Sequence, residues 1–248
     1  MAGSGIRATA RFAGVLYFIN AACGLWAEVF VRGKLIVSSD AAATAANILA
    51  NQTLYRSGFV ADLVSMITEI GIALLFYRLF RPVDRLLAAA MVLFRLVWVA
   101  IFSAVALTHV APLLLLAGRP YLSSFGAAQL QALSYLSLKL HDQGYEIGLV
   151  FFGVDCVLIG ILILRSTFLP RILGAVVALA GLCYLVNSFA DFLAPLLSAQ
   201  FGMWLLLPCA LAEYGLILWL MIVGVNAAQW NAQAASRFGK PAQSSGDG

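Results

Sequence analysis

Eleven acidic side chains occur in the 248 residues. Seven of them, Glu28, Asp62, Glu69, Glu146, Asp155, Asp191 and Glu213, fall within or at the edges of long apolar runs, and one base, Arg95, lies inside such a run as well. An ionised group at bilayer depth costs roughly 2.5–3.5 kcal/mol on insertion scales, so it has to face protein or a wet cavity. At about 100° per residue, Gly58, Asp62, Ser65 and Glu69 share one helix stripe, Gly144, Gly148 and Asp155 a second, and Tyr184, Asn187 and Asp191 a third. The deep acids therefore lie on small or polar faces directed at neighbouring helices, with Arg95 as the natural counter-ion for one or two of Glu69, Asp155 and Glu213. Such a set suits a polar intramembrane cleft, open to the outside and closed toward the cytoplasm, that binds or transports a small ion, solute or lipid. The candidate binding residues are Glu69, Arg95, Asp155, Glu213, Asp62 and Asp191. Buried Arg–carboxylate pairs can also simply hold helices in register. Three deep acids against one Arg leave more carboxylate than a single ion pair uses, which favours the cleft.

Other chemistries are less well supplied. The two histidines, His109 and His141, together with Asp142, Glu146 or Asp62, form the weaker alternative of a metal-dependent intramembrane hydrolase. Catalytic zinc wants three protein ligands, and neither H-E-x-x-H nor a related spacing is present. No metal site is assigned on this basis. The cysteines Cys23, Cys156, Cys183 and Cys209 all fall in apolar runs without C-x-x-C spacing and read as small packing residues. Ser123, Ser124, Ser134 and Ser137 show no nucleophile-elbow pattern, and there is no G-x-G-x-x-G or P-loop. No catalytic residues and no cofactor are indicated, so the reading leans away from an enzyme. A non-catalytic membrane scaffold, contacting a partner through external helices or the Gly144/Gly148 face, stays open.

The elements that must position these residues follow from composition. The chain is 63% apolar and 10% charged, with a mean hydropathy of +0.97, whereas a soluble domain averages about 25% charged residues. That excludes a soluble globular domain, a disordered chain and a disulfide scaffold. The net charge of +4 is spread over loops rather than collected on one face, which argues against nucleic acid as a partner. A hydrocarbon core roughly 30 Å thick needs about 20 helical residues, and six stretches suffice: 12–31, 57–80, 85–109, 144–164, 172–195 and 201–225. The fold class is all-α: a polytopic membrane helix bundle with one transmembrane domain over 1–226 and a flexible cytoplasmic tail over 227–248. Alternate chain ends carry nine basic residues (Arg7, Arg11, Arg78, Arg81, Arg85, Arg165, Arg171, Arg237 and Lys240) and five (Arg32, Lys34, Arg56, Arg119 and Lys139). Basic residues favour the cytoplasmic side, so both termini are expected in the cytoplasm and the first span is expected to stay uncleaved.

Two short amphipathic helices are expected outside the membrane, at 41–51 behind Ser38-Ser39-Asp40 and at 127–140 behind Ser123-Ser124. Each precedes a pair of spans, and an offset of 86 positions aligns Gly58 with Gly144 and Glu69 with Asp155. This suggests a parallel repeat of the kind some transporters carry. Six spans alone point to a homo-oligomer or a small carrier embedded in the lipid bilayer.

Four stretches carry a resemblance: Ala27-Glu-Val-Phe-Val-Arg-Gly-Lys-Leu-Ile-Val37, Asp40-Ala-Ala-Ala-Thr-Ala-Ala-Asn-Ile-Leu49, Gly148-Leu-Val-Phe-Phe-Gly153 and Leu169-Pro-Arg-Ile-Leu-Gly174. Over about residues 11–224 the chain resembles the bacterial integral membrane family catalogued as domain of unknown function 4386. The resemblance implies a multi-pass protein of the bacterial inner membrane and brings no substrate, cofactor or catalytic residues. Members it resembles often have His after the segment matching Phe151-Phe152-Gly153-Val154, where this chain has Asp155. That departure weakens a His-based metal or haem site at that depth.

Overall fold

The structure, a computed structural model, describes residues 2–238, and every regular element in that range is helical. Helix α1 (Ala2–Leu25) passes directly into a π-helical segment (Trp26–Arg32) and the short α2 (Gly33–Leu35). Then follow α3 (Ala41–Ala50), α4 (Gln52–Phe80), α5 (Arg85–Leu115), a single 3-10 turn (Pro120–Leu122), α6 (Ala127–Arg165), α7 (Arg171–Leu193), α8 (Pro195–Ile222) and α9 (Ala227–Phe238). Among the described residues, six helices are long and apolar enough to cross a membrane. The protein is an all-α polytopic membrane protein.

The distribution of side chains is that of a chain dissolved in lipid. Large apolar residues such as Ile67, Leu74, Leu86, Leu107, Ile172 and Leu211 are exposed, whereas Arg32, Asp62, Glu69, Arg95, His109 and His141 are buried. In water the exposed set would be a liability; against hydrocarbon it costs nothing, and the polar groups are the ones that need shelter.

Two compact units share the chain. The first takes in the described residues of 1–15, 72–94 and 152–248, and the second residues 16–71 and 95–151. Glycines set the packing of α6 on α7 in the first unit. A Cβ at Gly160 would stand 2.5 Å from the Ala178 nitrogen, one at Gly174 2.8 Å from the Gly160 oxygen, and one at Gly181 2.5 Å from the Gly153 oxygen. Only hydrogen fits, and the two backbones touch in the manner of small-residue membrane interfaces. The second unit has an apolar cluster of Val31, Leu35, Ile48, Tyr55 and Leu138. There Gly58 packs on Val31, Gly144 on Val105 and Gly148 on the Trp98 ring.

One expectation holds and two change in detail. Helix α3 forms as a separate short helix, capped by the Asp40 side chain, which accepts from the Ala43 N–H at 2.8 Å. The helix expected at 127–140 is instead the beginning of the 39-residue α6. His141, Asp142 and Gln143 offer no break, and Gly144 serves contact with α5 rather than a turn. In place of a flexible tail from residue 227, Ala227–Phe238 is a helix held to the first unit. The Trp230 indole N–H donates to the Leu79 carbonyl at 2.8 Å and Arg237 to the Val83 carbonyl at 2.9 Å; the remaining tail residues lie outside the described ones.

Candidate intramembrane polar site

The second unit gathers four buried polar side chains, each from a different helical segment. Arg32 closes the π-helical stretch, whose wider turn is marked by the Gly33 N–H donating to the Glu28 carbonyl five residues back. Its Nε donates to Glu28 Oε2 at 2.8 Å. Its Nη1 and Nη2 donate to Asp62 Oδ2 and Oδ1, on α4, at 2.7 and 3.3 Å. The fork is a two-point match between planar guanidinium and carboxylate. Glu28 reaches the surface, with 70% of its side chain exposed, while Asp62 is almost wholly buried.

His109, on α5, is fully buried. Its Nε2 lies 3.4 Å from the Tyr55 carbonyl and its Nδ1 3.2 Å from Arg32 Nη1. Arginine can only donate, so Nδ1 is the lone-pair nitrogen and Nε2 carries the hydrogen. Tyr55 returns the contact: its hydroxyl donates to the His109 carbonyl at 2.7 Å and its ring stacks on the imidazole at 4.5 Å. Two α4–α5 hydrogen bonds and a ring stack thus hold His109 in one orientation.

His141, on α6, completes the set. Its ring centre is 5.6 Å from that of His109 and 5.9 Å from that of Phe102. Nδ1 lies 3.4 Å from the Val105 carbonyl, which accepts its hydrogen. Among the described residues its buried Nε2 has no hydrogen-bonding partner. One ligand-type atom each from Asp62, His109 and His141 lies within 4.8 Å of the others.

The deeper charges expected from the sequence are placed as follows. Arg95 and Glu69 form a buried ion pair in the second unit, 2.5 Å between Nη1 and Oε2, with the Arg95 guanidinium 5.7 Å from the centre of the Tyr17 ring. Asp155 and Glu213 belong to the first unit. Asp155 is fully buried, and Glu213 accepts a hydrogen bond from the Tyr184 hydroxyl. Asp191 is half-buried on α7.

Of the six binding candidates, Asp62 is the one that meets the histidines. Arg32, assigned by sequence to an external loop, is the member that reading missed. Its signal was the Glu28/Arg32 spacing of four, which puts both on one helix side.

The family model described as Domain of unknown function (DUF4386) matches residues 12–224. An uncharacterised protein of Archaeoglobus fulgidus is 26% identical over 145 residues, which is 56% of this chain and 69% of the relative. No solved structure matches the chain significantly.

Proposed function

The chain belongs to the Domain of unknown function (DUF4386) family, and from that premise we propose that it binds or carries a small ion or polar solute at the cluster of Arg32, Asp62, His109 and His141. Its setting in this reading is the cytoplasmic membrane of a bacterium, with both termini cytoplasmic. The observation that carries the reading is the burial of two imidazoles, a carboxylate and a guanidinium together in one apolar unit. A group of that polarity is expensive to bury unless every member is matched, yet His141 Nε2 has no partner among the described residues.

Chain direction supports an opening to the outside. Arg32 lies near the end of the first spanning helix and His109 near the end of the third, while Asp62 and His141 lie toward the beginnings of the second and fourth. With the N-terminus cytoplasmic, all four occupy outer halves. The Glu69–Arg95 pair then serves to hold α4 against α5, a register role that a buried ion pair suits.

Thermal unfolding of the purified protein in detergent tests this. Chloride, phosphate, alkali cations, divalent cations and small zwitterions are added in turn to the unaltered chain and to Asp62→Asn. At least one class should raise the melting temperature of the unaltered chain, and that rise should vanish in the variant. A rise that survives Asp62→Asn, or none with any class, defeats the reading.

A further inference from the structure

We infer that Asp62, His109 and His141 form the binding site for one divalent transition-metal cation of the zinc class, with Arg32 as a built-in competitor for the same donors. The inference rests on the ligand-binding reading above and names the ligand.

Three features of the imidazoles and carboxylate support it. Each imidazole keeps its hydrogen toward a backbone carbonyl, Tyr55 for His109 and Val105 for His141. Metal-bound histidines are oriented in this way, because the carbonyl fixes the tautomer and leaves the opposite nitrogen's lone pair for the ion. Of those opposite nitrogens, His109 Nδ1 lies 3.9 Å from Asp62 Oδ2, and His141 Nε2 has no hydrogen-bonding partner among the described residues. Bonds of about 2.0–2.2 Å to a tetrahedral ion put ligand atoms roughly 3.3 Å apart, so a set spread over no more than 4.8 Å needs only a modest contraction. Two nitrogens and one carboxylate oxygen make a donor set suited to zinc and its neighbours rather than to calcium or magnesium.

The guanidinium occupies part of the place a metal would take. Arg32 donates to Asp62 through both terminal nitrogens and to the His109 lone pair, but makes no bond to His141 Nε2. A cation already satisfies two of the three donors, and the third is left over. An incoming metal must therefore displace Arg32 from Asp62. A destination is at hand, since Arg32 Nε is bonded to Glu28, whose carboxylate reaches the surface. Metal entry and transfer of Arg32 toward Glu28 become one exchange.

The test uses the full-length protein in lipid nanodiscs, stripped with a chelator and titrated with Co2+, whose ligand-field absorption reports tetrahedral nitrogen–oxygen coordination, followed by displacement with Zn2+. One Co2+ per chain is expected. His141→Ala should weaken binding by about 100-fold or more, given that even supporting residues cost roughly 10–100-fold, and His141→Gln should show the same loss with its volume kept. Arg32→Gln should tighten binding by about 10-fold and lose stability that Zn2+ restores. No stoichiometric Co2+ in either the unaltered chain or Arg32→Gln overturns the inference, as does binding unaffected by both His141 variants. If Co2+ and Zn2+ fail while another class still stabilises the chain through Asp62, the metal assignment falls and the broader reading stands. If nothing acts through Asp62, both fall.

Discussion

Arg95 and Glu69 show what a single pair is asked to do inside an apolar unit. Arg95 is wholly buried and Glu69 nearly so, and each is the other's shelter. Removing one partner from such a pair costs about 3–5 kcal/mol, because the survivor keeps its desolvation penalty without its counter-charge. Arg95→Leu alone should therefore lower thermal stability by that order, and Arg95→Leu combined with Glu69→Leu should recover most of the loss. If the double variant is as unstable as the single one, the pair is not a self-contained tie. Arg95's role as a counter-ion was legible from its position in an apolar run, because an intramembrane charge needs an opposite one. The role of Arg32 was not. Its apolar surroundings end just after it, and only the π-helical turn brings its fork onto Asp62.

Among the elements, α6 and α7 depend on what they lack. The Gly153/Gly160 and Gly174/Gly181 pairs recur every seven residues on their helices and let one backbone rest on the other. Gly181→Leu should push the helices apart, at a cost of about 1–3 kcal/mol or more for an overpacked contact. The readout is a lower melting temperature in detergent, and Gly215→Leu, at a position where nothing lies within 4 Å of a built Cβ, serves as the control that should leave it unchanged. Equal effects at both positions would remove the argument. Helix existence was readable because runs of some twenty apolar residues permit little else. The boundaries were less so. The start at residue 127 was readable, though the side chain that caps it is not a serine but Gln129, whose oxygen accepts from the Gly126 N–H at 2.8 Å; the end expected near residue 140 was not. From there on, nothing interrupts α6 before Arg165. The 227–238 helix was missed for a related reason: it has no large aliphatic residue and reads as solvated, yet Trp230, Gln233 and Arg237 face partners through hydrogen bonds.

For the whole molecule, the sequence made the solvent legible before any contact was known. Exposed leucines and isoleucines with buried charges are the arrangement required by a chain that is 63% apolar. Orientation is a separate matter, carried by the distribution of Lys and Arg. Reporter fusions check it: alkaline phosphatase joined after Arg119 should be active, and after Phe238 inactive, with a green fluorescent reporter giving the reverse pattern. The opposite result would put Arg32, Asp62, His109 and His141 on the cytoplasmic side and reverse the direction from which a ligand arrives.

The π-helical stretch Trp26–Arg32 has a consequence for how this chain tolerates change in length. Each of its turns holds one residue more than an α-turn, a surplus that the lipid-crossing part of the helix does not need. Dropping one residue inside the stretch, for example Val29, removes that surplus, so the winding relaxes to α while the residues on either side keep nearly the same facing. The α-helical part before it has no such slack. Removing Val15 instead turns everything after the excision by about 100° and draws it back by about 1.5 Å, which swings the guanidinium off the carboxylate although no residue of the cluster has been altered. The π turn is thus the place in the first spanning helix where a change of one residue in length is absorbed locally.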